Sequence, residues 1–574
     1  MVKVRRIISS GVIIKFTIKL IIKEKTYLAI NIFSLLLSAA FLTYFLTINN
    51  NEKLVIMFDY YALFYLFILM FMLCLRLVFF IFINKRDDKT LQIIISHQVK
   101  RTKLFLFQII TILILVTINI IINYLLINTI YSLIRWDINF VLLRISSVYF
   151  FYVFISCIFL INFFLLMSLI AGQQFLAIIA TFILSLSFIS NLPLQFLLKD
   201  IENKNITMRS NNYGQTTMKV NEMYDSYNLR NHALNKKNKY PNLSYDIFNF
   251  FIESSFRTST FEENKNKELR INFLKSKGIV VEKPVAVELK TPTRMATAYS
   301  RSLLSPWVGS NVTFKTSLKY RFLSIEELKE KYPDDLFIKE FIEFTNYINS
   351  IYANFQSQFY SLFEHFIILD NNNIATSYIK NEQTGQSLIF DPEYLIDIYQ
   401  NYFNLNQNKL SLDKTTALDV LITETINFPT MLSVRILEDY FLRYTSNLVI
   451  LDDSVIITTS ADWEDYKNVT SLYGGFFHAN LISNMLLNYS YYGGRAFDEI
   501  WFEPDSTSKI FFNKQNNLFI SHIFYTFKLD STYKITYDTY NNYLEPYFYI
   551  LVQIVICTVN FFIARRKFNR MDLA

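Results

Sequence analysis

The sequence predicts an α-helical polytopic membrane protein of six spans in a 5 + 1 arrangement, with a large α+β extracytoplasmic domain between spans five and six. Three observations predict it. Five apolar stretches crowd the first 200 of 574 residues, and a sixth stands alone across Tyr547–Ile563. A stretch of ~20 apolar residues crosses the ~30 Å hydrocarbon core as a helix, and little else in a sequence looks like that. Between the fifth and sixth stretches lies a polar block of roughly 350 residues, long enough for a core of its own. Lysine and arginine, finally, gather on alternate connections.

Residues 1–26 are basic and periodic. Lys15, Lys19 and Lys23 recur every four residues on one helical face, while Val12, Ile13, Phe16, Ile18, Ile21 and Ile22 fill the rest. That pattern predicts an amphipathic helix lying in the headgroup region with its lysines toward anionic lipid. A cleaved signal peptide is the rival reading, since Ser38, Ala39 and Ala40 are small, but the apolar run continues to Ile48, too long for such a leader. The spans follow at about Tyr27–Ile48, Tyr60–Ile83, Leu104–Ile127, Ser146–Ala171 and Phe175–Leu198.

The N-terminal segment carries seven Lys and Arg, the 84–103 loop carries six, and the tail adds Arg565, Arg566, Lys567 and Arg570. The opposite loops hold Lys53 alone in 49–59, and Arg135 and Arg144 in 128–145. Basic residues near span ends resist translocation, so the expected topology is a multi-pass plasma-membrane protein with both termini and the 84–103 loop cytoplasmic. The 199–545 block then lies outside, and 546–574 forms span six and the cytoplasmic tail.

Within that block, 199–243 is poor in apolar residues and reads as a loose or partly ordered lead-in. Val280–Leu289 alternates like a strand; Ser324–His365 reads as a helix interrupted near Pro333, and Thr415–Tyr444 as another. Asn447–Thr459 and Leu518–Tyr537 favour β structure, with a turn at Leu529–Asp530–Ser531. Tyr473–Tyr492 is moderately apolar, but His478, Asn480, Asn484 and Asn488 favour a buried soluble helix over a span. The block's own periodicity and its lack of cysteine imply that residues 244–540 fold independently.

Composition narrows the function classes. Hydrophobic residues are 52% and charged residues 18%, yet the two are sharply partitioned along the chain. The net charge of +8 is no nucleic-acid signature, because the basic residues sit beside apolar segments rather than in one stripe. Cys74, Cys157 and Cys557 all fall in apolar segments, which excludes a disulfide-stapled outer domain, a cysteine zinc site and a CxxC redox motif. The histidines His232, His365, His478 and His522 lack HExxH spacing, and there is no GxSxG elbow. The acidic pairs Glu503/Asp505 and Asp334/Asp335 read as solvated surface carboxylates, and the cluster Tyr489, Tyr491 and Tyr492 as core packing or a peptide, glycan or lipid surface. No GxxxxGK[ST] is present, so the chain binds no nucleotide of its own.

Among the polar residues inside the spans, four stand out. Arg76, ~13 Å along a helix from Lys85, either snorkels toward the cytoplasm or serves packing or a pathway. Asn119 and Asn123 share one face at i, i+4 spacing, and Asn162 sits in span four; interhelical hydrogen bonds or a substrate-lining role fit these amides.

The most specific local signal is the loop from Lys85 to Arg101, KRDDKTLQIIISHQVKR. A charged lead-in, Thr-Leu, a short apolar helix and a basic exit resemble the coupling-helix region of ABC-2 type transporter permeases, whose pattern runs roughly E-R-x-x-G-T-L-E-L-L-L-S-x-P-V-x-R. Thr90, Leu91, Ile93–Ile95, Ser96, Val99 and Arg101 match; Lys89 replaces the Gly, Gln92 the Glu and Gln98 the Pro. The ending Arg570-Met571-Asp572-Leu573 is similar to that family's basic-Asp-Leu tail. The resemblance covers about 1–200 and 545–574. It implies a transport subunit rather than an enzyme, paired as a homodimer or with a second permease and driven by a separate ATP-binding subunit that holds the ATP. It also implies that Asp87, Asp88, Thr90, Leu91, Ile94, Ile95, His97 and Arg101 form the ATPase-coupling element, with Leu91 and Ile94 entering the partner's groove from one helical face. The other class that fits is a polytopic anchor displaying a binding or adhesive ectodomain without transport.

Overall fold

The computed structural model describes residues 10–191 except 49, 97–98 and 171–172; 204–219 except 213; 239–253; 263–290 except 283–284; and 312–355 except 319–320. It further describes 374–390 except 382–386, 429–437 except 431 and 435, 454–469 except 459–460, 467, then 483–493, parts of 528–536, 546–571, and positions 223, 230 and 233–234.

Helix α1 (Ser10–Ile22) breaks at Lys23–Glu24, and α2 (Lys25–Thr47) begins at once. Glu24 starts it as an N-cap, its carboxylate accepting the Tyr27 N–H at 2.5 Å. Helix α3 runs 51–87 without interruption but holds two π-helical stretches, Tyr65–Met70 and Phe79–Asn84. Just before the first, the Ala62 carbonyl accepts a hydrogen bond from the Tyr149 hydroxyl at 2.8 Å, a side chain reaching into the helix where its ladder changes. Then come α4 (Thr90–Ser96), α5 (Arg101–Arg135), α6 (Phe140–Ile170) and α7 (Gln173–Asn191). The last described helix, Pro546–Arg570, closes the bundle.

Among the described residues five helices are long and apolar enough to cross a membrane: Lys25–Thr47, Lys53–Asp87, Arg101–Arg135, Phe140–Ile170 and Tyr547–Arg570. The expected fifth span begins in α7, whose qualifying apolar part, Gln174–Ser185, is shorter; 192–198 lies outside the described residues. The third helix runs two turns past the expected Ile127 to Arg135, where Trp136 takes a left-handed backbone (φ 54°) and turns the chain into α6. Helix α3 is the axis of the bundle, with 67% of its apolar window buried against 22% for α2 and 17% for the final helix. Lipid tails are as apolar as leucine, so apolar contact alone discriminates little between helix pairings. Aromatic interlocking and polar pairs decide them: Phe58, Tyr61, Tyr65, Tyr149 and Phe150 form one edge-to-face cluster joining α3 to α6.

In the polar block the stretch 199–243, expected as a loose or partly ordered lead-in, holds a hairpin over 205–219. Strands β1 (Asn205–Ser210) and β2 (Gly214–Lys219) form a hairpin whose turn ends on Gly214 at φ 85°, and β1 also pairs with Ile456–Ile457. Ile206, Met208 and Met218 are the buried apolar residues of this hairpin, too sparse a signal to stand out among Asn and Thr. The Val280–Leu289 stretch divides into Val280–Val281 and Val285–Lys290, the second in a four-stranded antiparallel sheet with Val312–Leu318, Ile374–Asn381 and Ser387–Phe390. Pro333 separates two helices, Ile325–Lys331 and Leu336–Phe355, the first opened by a Ser324–Glu327 capping box. Glu340 on the second caps the helix Pro241–Glu253, accepting the Asn242 and Leu243 N–H groups at 2.7 Å each. Near the turn expected at 529–531, Lys528–Leu529 pairs with Ile535–Thr536 and Ser531–Thr532 is a turn, while Asp530 lies outside the described residues. The expected helix 415–444 is described only in helical fragments of 429–437.

Helix Ser483–Tyr492 carries the largest correction. It is buried, but against the spans: it packs on α6, α7 and the final helix. Tyr489 is fully buried between Phe58 and Tyr149, and Tyr492 stacks on Tyr152. This helix belongs to the span core rather than to an independently folding 244–540 unit.

Candidate functional site at the loop end of the bundle

The 84–103 loop is built by its charges. Lys85 pairs with Asp88 at 2.7 Å and Arg86 with Asp87 at 3.3 Å. Asp88 then starts α4, its Oδ1 accepting the Thr90 N–H at 3.0 Å and the Thr90 hydroxyl at 2.5 Å. Burial would raise the Asp88 carboxyl, but the hydrogen bonds from Lys85 and Thr90 outweigh it and hold it below its ordinary value. Between Asp88 and Thr90 the chain must reverse, and Lys89 does so at φ 60°. A left-handed backbone costs an L-residue roughly 1–2 kcal/mol, which glycine avoids. Lys89 is exposed. We therefore expect Lys89→Gly to raise stability by about 1 kcal/mol once glycine's unfolded-state entropy is subtracted, read as a higher thermal midpoint in detergent. Lys89→Ala, which keeps the strain, should give no gain; equal gains from both would remove the backbone explanation.

On α4, Leu91 is 2% exposed and joins the bundle's own core, with Ile94 and Ile95 half-buried against it. Ile93 is the apolar residue turned outward, 59% exposed. The expectation that Leu91 and Ile94 together face a partner is thus corrected: this short helix spends that face on its own chain. His97 lies outside the described residues.

Arg101 has a different duty from the one expected. Its guanidinium donates to the carbonyls of Asn569 at 3.0 Å and Met571 at 2.7 Å, capping the C-terminus of the final helix where unpaired carbonyls and the helix dipole favour a cation. Thr102 and Asn569 exchange side-chain hydrogen bonds beside it. Phe568, 1% exposed, seats between Phe82 of α3 and Phe105 of α5. Three membrane helices, α3, α5 and the final one, therefore meet in one cluster at this end.

Arg76 is neither free nor simply snorkelling. It donates through Nε (3.1 Å) and Nη2 (2.5 Å) to Oε1 of Glu24, whose other oxygen caps α2. Glu24 went unnoticed in the sequence, although it is the only carboxylate in the first 50 residues.

Asn119 and Asn123 sit at the centre of a buried polar network. Asn119 donates to Asn31 Oδ1 at 2.8 Å and Ser34 Oγ at 2.9 Å, and accepts from the Tyr65 hydroxyl at 2.8 Å. Asn123 accepts from Ser38 at 2.6 Å, and Ser38 lies 2.9 Å from the Tyr61 hydroxyl. The network joins α2, α3 and α5. Asn162 stands apart, its amide donating to the Ile158 carbonyl of its own helix while Oδ1 has no partner among the described residues. Asp59, fully buried near the start of α3, accepts from the Tyr489 hydroxyl at 3.2 Å, another link invisible in sequence. Among the described residues no His, Cys, Asp and Glu cluster has the geometry to hold a metal.

Compared with protein-family models, with curated proteins and with solved structures, the chain matches none.

Proposed function

We propose that this chain is the membrane-spanning permease subunit of an ABC-2-like exporter. It works as a homodimer or paired permease in the plasma membrane, driven by a separate ATP-binding subunit. In this reading six spans place both termini and the 84–103 loop in the cytoplasm, and the α+β block outside. The observation that carries it is α4: a short helix held at the bundle end by the Asp88 cap, seated by Leu91 and showing Ile93 outward. Lys89 supports it further, since it keeps a left-handed turn where the ABC-2 pattern has glycine.

Motion of a partner pressed against Ile93 would reach α3 through the Asp88 turn and α5 directly. It would reach the final helix through Arg101 and Phe568. Several helices would then move together, which is what rocking a cargo path open requires.

The test uses Ile93→Asp. A carboxylate in an apolar groove without a partner costs several kcal/mol, enough to lose a modest interface. The variant should reach the membrane at the normal level yet co-purify no ABC ATPase, whereas Leu91→Asp should lower the membrane level itself because that residue is core. Undiminished ATPase recovery with Ile93→Asp would remove α4 as the coupling element. If the unaltered protein brings down no ATPase at all, a polytopic anchor displaying an ectodomain becomes the better reading.

A further inference from the structure

Helix α1 is left unused by the transport reading, and its surface is divided unusually cleanly. Ile13, Thr17 and Ile21 recur every four residues and are buried, 4%, 7% and 1% exposed, where α1 packs on α5. The opposite arc carries Lys15, Lys19 and Lys23, all exposed, interspersed with Val12, Phe16 and Ile22 at 57%, 45% and 48% exposure. A solvated face does not mix large apolar residues with lysines in this way; a helix at the boundary between headgroups and acyl chains does.

Two further observations fix the partner. First, none of the three lysines has an ion pair among the described residues, while Lys85, Lys275 and Lys277 elsewhere each hold a carboxylate. The one carboxylate nearby in sequence, Glu24, is engaged by Arg76. Second, only Lys23 and Glu24 separate α1 from α2, whose outer face begins with Leu28, Ile32, Phe33 and Leu36, all exposed. The lysine arc is therefore continuous with a lipid-facing surface.

We propose that the exposed arc of α1 is a docking surface for anionic phospholipid headgroups. Lysine ammoniums pair with the lipid phosphates while Val12, Phe16 and Ile22 enter the acyl boundary. Because Glu24 follows α1 by two residues, caps α2 and is gripped by Arg76, a lipid-held α1 also fixes where α2 begins relative to α3. This proposal stands independently of the transport reading.

The experiment titrates the purified full-length protein in detergent with phosphatidylglycerol or with phosphatidylcholine, reading the thermal unfolding midpoint. A lysine near an anionic surface contributes about fivefold, so three should favour phosphatidylglycerol by roughly a hundredfold, an advantage that shrinks in high salt. Lys15→Gln, Lys19→Gln and Lys23→Gln combined should erase the preference, and the matching arginine triple should keep it. Equal response to both lipids, or a glutamine triple that still prefers phosphatidylglycerol, overturns the proposal. Inorganic phosphate is the control: if it reproduces the shift, α1 binds free anions and the lipid surface is the wrong partner.

Discussion

Arg76→Ala should destabilise the protein by about 2–4 kcal/mol, below the ~3–5 for breaking a fully buried ion pair because the arginine side chain is 31% exposed. The loss comes mostly from what is left behind. Glu24 has a side chain only 10% exposed, and without Arg76 its carboxylate keeps the Tyr27 N–H but loses its counter-charge. Arg76→Met with Glu24→Gln should recover much of the loss, since it removes both charges together and leaves an amide able to cap α2. If the double variant is no better than Arg76→Ala, the uncompensated carboxylate is not the cause.

The same pair sets a pH dependence. Burial alone would raise the Glu24 carboxyl, but hydrogen bonds from Arg76 and Tyr27 outweigh it and hold it below its usual 4.5. A depressed carboxyl contributes stability that is present above the unfolded-state value and lost as pH falls through the folded one. In Arg76→Ala burial dominates, so acidification through that window should help the variant relative to its neutral-pH stability. Thermal midpoints of both proteins across pH 3–6, a window set by the ordinary carboxylate value of 4.5, check the sign.

Asn119→Leu and Asn162→Leu should part company, although both remove an amide from a span. Asn119 makes three hydrogen bonds to α2 and α3, to Asn31, Ser34 and Tyr65. At about 0.6–1.7 kcal/mol per interhelical bond, losing them should cost roughly 2–4 kcal/mol. The Tyr65 hydroxyl and Asn31 oxygen are left without this partner, which pushes toward the upper end. Among the described residues Asn162 bonds only within its own helix and its buried oxygen has no partner, so leucine there should be neutral or mildly stabilising. Similar losses at both sites would mean that amide burial, not the network, is what these residues provide.

Spans are legible in the sequence because the hydrocarbon core imposes length and apolarity on any helix that crosses it, and no tertiary contact can waive that requirement. The same holds for the start of α4, where Asp88-Lys89-Thr90 is local chemistry, and for the break at Pro333. The partners of those helices are another matter. Helix α6 is apolar on every side, so no periodicity distinguishes the face that meets α3 from the face that meets lipid. Asn119 and Asn123 could be placed on one face, yet Ser34, Ser38, Tyr61 and Tyr65, which complete their network, read as ordinary span residues until three helices converge. Arg101 matched a loop pattern but caps a helix more than 460 residues away, and Tyr489 looked like an outer-domain aromatic but fills the span core. The β1–β2 hairpin was hidden because three apolar residues, Ile206, Met208 and Met218, are enough once Ile456–Ile457 pairs along the other side of β1. The sequence by itself determined which segments are helices fit to cross a membrane and where their charged ends fall, since each depends on residues within one or two turns. Only the tertiary structure decided which face of Leu91, Arg76 and Arg101 is spent inside the chain, because burying a charge or a short apolar helix is settled by the partner that arrives from elsewhere.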